Sequence, residues 1–172
     1  VEAWYDGDVD GLAEVLPQYE QALARQGAVD FDGQITGAVR VLLTEPATRA
    51  AAQRACRLLL VDEFQDLTPA HVLLVRLLAG PRAEVFGVGD DDQTIYGYNG
   101  ADPRWLLEYA TLFPGAGEHP LEVNYRCPAD VVEQVDRLLR RNGRRVAKTI
   151  RTARPGTRGL TVVPSDDPVA AT

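Results

Sequence analysis

The sequence holds no methionine, one lysine (Lys148) and two cysteines in 172 residues. With no methionine even at its first position, the chain is expected to be a segment of a longer translation product. Cys56 and Cys127 stand far apart in no metal-ligand spacing, which argues against a metal module and points to reduced thiols in the cytoplasm. No apolar run reaches the length of a bilayer span. Val1 to Asp6 lacks the basic and apolar layout of a signal peptide, so no membrane partner is expected. A Gly-x-x-x-x-Gly-Lys-Ser/Thr loop is missing as well, and Lys148 is not in a glycine loop. The chain therefore has no ready cradle of backbone amides for phosphates.

What is present suits a folded domain. Hydrophobic residues make up 45% of the chain, enough for a core in one domain or in parts of two. The net charge of -7 argues against nucleic-acid binding by the chain taken whole. Its distribution is uneven, however. Arg137 to Arg158 carries nine basic residues and no acidic one, while everything before it carries nine basic against 23 acidic. Such a stretch can track phosphates, or it can be a solvated helix end followed by a loop.

Residues 8 to 54 read as helical. Leu12, Val15, Leu16, Tyr19 and Leu23 recur at helical spacing, with Pro17 as a kink or a second start and Gly27 as a stop. Asp30-Phe31-Asp32 opens another helix with Ile35, Val39, Leu42 and Leu43 on one face, ended by Glu45-Pro46. The texture then changes. Leu58 to Val61 reads as a strand buried on both faces. A helix capped by Thr68, with Pro69 in its first turn, runs to Gly80-Pro81. Val85 to Val88 reads as a second strand, and Asp102-Pro103 caps a helix reaching Phe113. Leu121 to Val123 is a third strand, Pro128 opens an amphipathic helix with Val131, Val132, Val135, Leu138 and Leu139, and Leu160 to Val163 is a fourth strand. Alternating strands and helices imply an α/β fold with a parallel sheet and crossover helices, preceded by a helical segment.

Ligands of open α/β sheets bind beyond the carboxyl ends of the strands. The first strand ends in Asp62-Glu63-Phe64-Gln65-Asp66, the second in Gly89-Asp90-Asp91-Asp92-Gln93, the third in Asn124-Tyr125-Arg126. An acidic residue directly after a buried strand can hold Mg²⁺, which suits Asp62, and a carboxylate beside it can take a proton from an attacking water, which suits Glu63. Gln93 can orient water or contact a terminal phosphate. Arg126 can neutralise charge on a transferring phosphoryl group, and Tyr125 offers a flat face for a base. Taken singly, each has a plainer explanation: a solvated turn, a self-repelling acidic loop, a surface ion-pair partner, a core tyrosine. Together, each at a strand end, they point to phosphoryl-transfer chemistry.

Leu59-Leu60-Val61-Asp62-Glu63-Phe64-Gln65-Asp66 resembles motif II of the superfamily 1 DNA helicases, the group that includes UvrD, Rep and PcrA. Val88 to Tyr98 resembles their motif III, Leu121 to Arg126 their motif IV, and Asp30-Phe31-Asp32 a further segment upstream. The resemblance implies that Asp62 binds Mg²⁺, Glu63 activates water, Gln93 senses the γ-phosphate of ATP, and Arg126 reaches that phosphate while Tyr125 stacks on adenine. Tyr96 and Tyr98, with Asn99 beside them, would meet the bases of single-stranded DNA, at single-strand/duplex junctions in the parent enzyme. Three departures stand out: Tyr98-Asn99 where many relatives have Trp-Arg, His71 for a frequent Gln, and Gly33 for a frequent Asp.

The expected layout is residues 1–55 as the end of a helical insertion, 56–123 as the second half of a first RecA-like (P-loop NTPase) domain, and 124–172 as the start of a second. On this reading the missing phosphate loop lies upstream and the chain alone is inactive. The parent would be an ATP-dependent 3′–5′ DNA helicase of repair or replication. The alternative is a non-catalytic scaffold that holds DNA or a protein partner.

Overall fold

The computed structural model describes residues 11–81 and 84–161. By its internal contacts the chain divides into two compact units, Val1–Val61 with Leu67–Phe86 and Asp62–Asp66 with Gly87–Thr172.

In the first unit, helix α1 (Leu12–Arg25) passes through Pro17 without ending there. Its Val15, Leu16 and Tyr19 form the expected helical stripe but remain exposed. Helix α2 (Phe31–Thr44) starts at Asp30, whose carboxylate accepts a hydrogen bond from the Gly33 N–H at 2.7 Å. A Cβ on Gly33 would lie 2.8 Å from that carboxylate oxygen, so glycine lets this cap close. Pro46 takes the first turn of α3 (Pro46–Ala55), so the Glu45-Pro46 pair that ends α2 also opens the next helix.

Thr68 caps α4 (Pro69–Ala79) as its sequence predicts. The Thr68 hydroxyl accepts from the His71 N–H, and the Thr68 N–H donates to His71 Nδ1 at 3.3 Å. The imidazole thus does what Glu or Gln does in a capping box, which accounts for His71 at this position. Both α2 and α3 pack on α4, burying Leu42, Val72 and Ala79. Gln53 of α3 donates its amide to the Leu77 carbonyl at 2.8 Å.

Strands β1 (Leu58–Val61) and β2 (Glu84–Gly87) form a two-stranded sheet. The expectation that β1 is buried on both faces fails: Leu58 and Leu60 are 55% and 72% exposed. With only two strands and α4 against β1, one face of the apolar run has no cover among the described residues.

The second unit is built on Phe64, whose side chain is fully buried. Tyr109 and Phe113 pack their rings on it at centroid distances of 5.1 and 6.5 Å, both edge-to-face. The single helix expected from Asp102 to Phe113 is two short ones, α5 (Arg104–Leu107) and α6 (Tyr109–Leu112), broken at Glu108. The break brings Tyr109 and Phe113 together onto Phe64, and this aromatic packing overrides continuous helix.

Strand β3 (Val123–Asn124) pairs in parallel with β4 (Arg151–Thr152), with Val123 opposite Arg151, and α7 (Ala129–Leu139) is the crossover between them. The fourth strand therefore differs from the expected Leu160 to Val163. Leu160 and Thr161 are not in a strand, and Val162 and Val163 lie outside the described residues. The cause is a side chain distant in sequence: the Asp130 carboxylate accepts the Gly159 and Leu160 N–H groups at 3.0 and 3.1 Å, so a ladder cannot use them. Those amides outweigh the burial that would raise Asp130, and they hold its carboxyl below the usual range. No helix among the described residues is long and apolar enough to cross a membrane.

Candidate active site

Asp62 and Glu63 follow β1 directly, and both are exposed. Asp62 turns Oδ1 back to accept the Glu63 N–H at 2.9 Å. Glu63 is the one described non-glycine residue with positive φ, at 50°. A side chain in that conformation is held by its surroundings rather than by preference. Here the turn delivers the Phe64 N–H to the Val88 carbonyl at 2.8 Å and drives Phe64 and Gln65 inward.

Gln65, only 1% exposed, is the pivot of the site. Its Nε2 donates to Glu63 Oε2 at 2.7 Å, and its Oε1 accepts the Asp90 N–H at 2.9 Å. One buried amide thus joins the loop after β1 to the loop after β2. The two loops meet closely enough that a Cβ on Gly89 would fall 2.6 Å from Gln65 Oε1 and would push that amide aside.

From Asp90 the hydrogen bonds branch. Asp90 Oδ2 accepts from Gln93 Nε2 at 2.7 Å, while Oδ1 accepts from Lys148 Nζ at 2.7 Å and from the Asp92 N–H at 3.2 Å. Lys148 also reaches Asp91 at 3.0 Å and Asp92 at 3.2 Å; Arg145 pairs with Asp92 at 2.7 Å, and the Val146 N–H with Asp91 Oδ2 at 2.7 Å. The Asp91 and Asp92 side chains are 1% and 4% exposed, so this acidic triplet is an internal ion-pair network and not a loop repelled into water.

Burial raises the Asp90 carboxyl, but hydrogen bonds from Lys148 and Gln93 and the Lys148 charge outweigh it and hold the group below the usual carboxylate range. Burial likewise lowers the Lys148 ammonium, and its bonds to Asp90 and Asp91 reverse that, leaving it above the ordinary lysine value. Three carboxylates within 4.8 Å of one another form a metal-like group, but Lys148 already places a cation against all three. Asp62 fits Mg²⁺ better: it is exposed at a strand end, and its Oδ2 makes no hydrogen bond among the described residues.

Beyond Gln93 the chain presents Tyr96 and Tyr98, 44% and 66% exposed, with ring centroids 6.1 Å apart at 64°. Asn99 closes the short 3₁₀ turn Gly97–Asn99 by donating its N–H to the Tyr96 carbonyl at 2.9 Å. After β3, Asn124 Oδ1 accepts both the Arg126 and Cys127 N–H groups, at 3.0 and 2.8 Å, and this shapes the turn that carries Tyr125 and Arg126. Val123 to Cys127 line an open depression of about 520 Å³, with Tyr125 74% exposed.

The structure therefore brings Glu63 and Gln93 into one hydrogen-bonded array. No hydrogen bond, ion pair or ring contact among the described residues joins Tyr125 or Arg126 to it. The basic run is partly neutralised: five of its nine cations pair with carboxylates, Arg137 with Glu133, Arg140 with Asp136, Arg145 and Lys148 with the Asp90–Asp92 loop, and Arg151 with Glu122.

The profile of the UvrD/REP helicase N-terminal domain matches residues 7–114, more than half of the sequence. The chain belongs to the UvrD/REP helicase family. Among the relatives, DNA helicase II of Salmonella typhimurium is 36% identical over 139 residues, 81% of this chain and 19% of that protein. ATP-dependent DNA helicase PcrA of Staphylococcus epidermidis is 34% identical over 145 residues, 84% of this chain and 20% of the relative. That of Leuconostoc citreum is 34% identical over 141 residues, 82% and 19%. The chain thus spans about a fifth of the length of the relatives it matches. Gln65, Lys148, Arg145 and Asn124 were not singled out for roles in the sequence. The only signal there was a neutral amide within an acidic turn and a lone lysine far downstream.

Proposed function

We propose that this chain is the central part of an ATP-dependent DNA helicase that moves 3′ to 5′ on single-stranded DNA and works at single-strand/duplex junctions in cytoplasmic DNA repair or replication. Residues 56–123 and 124–172 belong to two RecA-like motor domains of a P-loop NTPase, preceded by a helical insertion over 1–55. Asp62 holds Mg²⁺, which when bound neutralises phosphate charge at the scissile bond. Glu63 takes the proton of the attacking water, Gln93 contacts the γ-phosphate, and Arg126 offsets charge that grows on the transferring group. Tyr125 stacks on adenine. Tyr96, Tyr98 and Asn99 meet DNA bases a few residues from Gln93, so hydrolysis and DNA grip share one loop.

The observation that carries this reading is the Glu63–Gln65–Asp90–Gln93 chain of hydrogen bonds, which holds a carboxylate and an amide in fixed relation. In the whole gene product, Glu63→Gln is expected to abolish DNA-stimulated ATP hydrolysis while leaving ATP binding intact. Retained turnover would mean that the base lies elsewhere. The 172 residues alone contain no Gly-x-x-x-x-Gly-Lys-Ser/Thr loop and should show no turnover. The second reading is a helicase-like scaffold that holds DNA or a partner, and a whole gene product that neither binds nor hydrolyses ATP would establish it.

A further inference from the structure

We infer that Lys148 is a positioning residue for ATP hydrolysis, acting through Asp90 on Gln93 and, by way of Gln65, on Glu63. The inference rests on the roles proposed above for Glu63 and Gln93.

Gln93 is exposed, and among the described residues its side-chain amide has one partner, Asp90 Oδ2 at 2.7 Å. A carboxylate can hold an amide still only if it is itself held. Lys148 Nζ, at 2.7 Å, and the Asp92 N–H fix the other oxygen of Asp90. The backbone N–H of the same residue binds Gln65 Oε1, and the opposite end of that amide holds Glu63. Both branches therefore meet at Asp90, and Lys148 is its cation.

Lys148 is only 12% exposed and touches three carboxylates, two of them almost fully buried. Without its charge these groups would face one another with Arg145 as their remaining cationic partner. Like charges so close disfavour the packed loop. The loop should open, and the Gln93 amide would lose its fixed direction. Arg145 cannot substitute, because its ion pair is with Asp92 and not with Asp90.

The test uses the whole gene product with saturating single-stranded DNA. Lys148→Met should lower kcat for ATP hydrolysis by about 10- to 100-fold, the scale of a misplaced catalytic group. KM for ATP should stay within about threefold, because Asp62, Tyr125 and Arg126, the other groups proposed to hold ATP, share no hydrogen bond or ion pair with Lys148 among the described residues. Lys148→Arg should recover most of the loss. Combined with Gln93→Ala, Lys148→Met should cost less than the product of the two single losses, because the branch to Gln93 is already gone and only the branch to Glu63 is left to disturb. Multiplying losses in that double variant would overturn the inference. So would a fall in kcat matched by an equal fall in ATP-binding sites, the mark of a merely structural role. If Lys148→Met does not fold, Lys148→Gln, which can still donate to Asp90, must show an intermediate loss, and unchanged kcat there overturns the inference too. Glu63→Gln separates the two levels. If it leaves hydrolysis intact, the proposed function fails and this inference with it. If it abolishes hydrolysis while Lys148→Met leaves kcat unchanged, only the role of Lys148 fails.

Discussion

Replacing Gln65 by leucine removes the buried amide that joins the two loops while nearly preserving its volume. Two hydrogen bonds go, one to a carboxylate at 2.7 Å and one from a backbone N–H at 2.9 Å. The two losses are unequal. Glu63 is exposed, so water replaces the donor it loses. The Asp90 N–H is part-buried and loses its acceptor, so it bears most of the cost. An unsatisfied buried donor costs about 1–3 kcal/mol and a lost hydrogen bond about 1 kcal/mol more, giving about 2–4 kcal/mol. In a chain of this size each kcal/mol lowers Tm by about 2–4 °C, so a fall of about 5–15 °C is expected by circular dichroism. Gln65→Glu sharpens the test. Its carboxylate still accepts the Asp90 N–H but faces Glu63 Oε2 where the amide donated. The repelling pair should take up a proton more readily when folded than unfolded, so its deficit should shrink as pH falls from about 7 to 5. Unchanged Tm in Gln65→Leu, or a pH-independent deficit in Gln65→Glu, would refute the bridging role.

The Asp90–Lys148 pair sets a pH window. The lowered carboxyl of Asp90 contributes stability above its unfolded value of about 3.9, lost as pH falls through the lower folded value. The raised ammonium of Lys148 contributes stability below about 10.4, lost as pH rises through the higher folded value. Urea midpoints should therefore be flat between about pH 5 and 9, and Lys148→Met should move the acid flank upward; an unmoved flank would contradict the pairing. Asn124→Ala removes the acceptor for two N–H groups and should lower ATP turnover of the whole gene product through a loosened Arg126 turn, with about 1–2 kcal/mol lost from thermal stability. If neither changes, Asn124 does not shape that turn. Tyr98→Ala should weaken single-stranded DNA binding, read by fluorescence anisotropy, by about 1–3 kcal/mol; intact binding together with intact DNA-stimulated ATPase would take this loop out of the DNA site.

Local signals in the sequence were reliable where the determinant was local. Thr68 and Asp30 cap helices because short polar side chains reach amides three residues on, whatever lies elsewhere in the fold. The apolar run Leu58 to Val61 is visible as a strand, but its exposure depends on how many strands and helices surround it, which no four residues encode. Leu160 is expected to open a strand because alternation records propensity, and not the carboxylate of Asp130, some thirty residues away in sequence, that takes its amide and that of Gly159 before it. The candidate site shows the same division. Asp62, Glu63 and Gln93 are legible as chemistry at strand ends. Gln65 and Lys148 become legible only when distant segments meet, since their partners lie 25 and 58 residues away.

Gly89 has a genetic consequence. Any side chain there strikes Gln65, and even alanine brings its Cβ to 2.6 Å from Oε1. Overpacking of that kind costs about 1–3 kcal/mol against a domain stability of about 5–15 kcal/mol. A strain carrying Gly89→Ala would keep a folded protein in the cold and lose it on warming. The codon for Gly89 is therefore a place where a missense change makes a temperature-sensitive allele, with its lesion confined to the junction between the two loops.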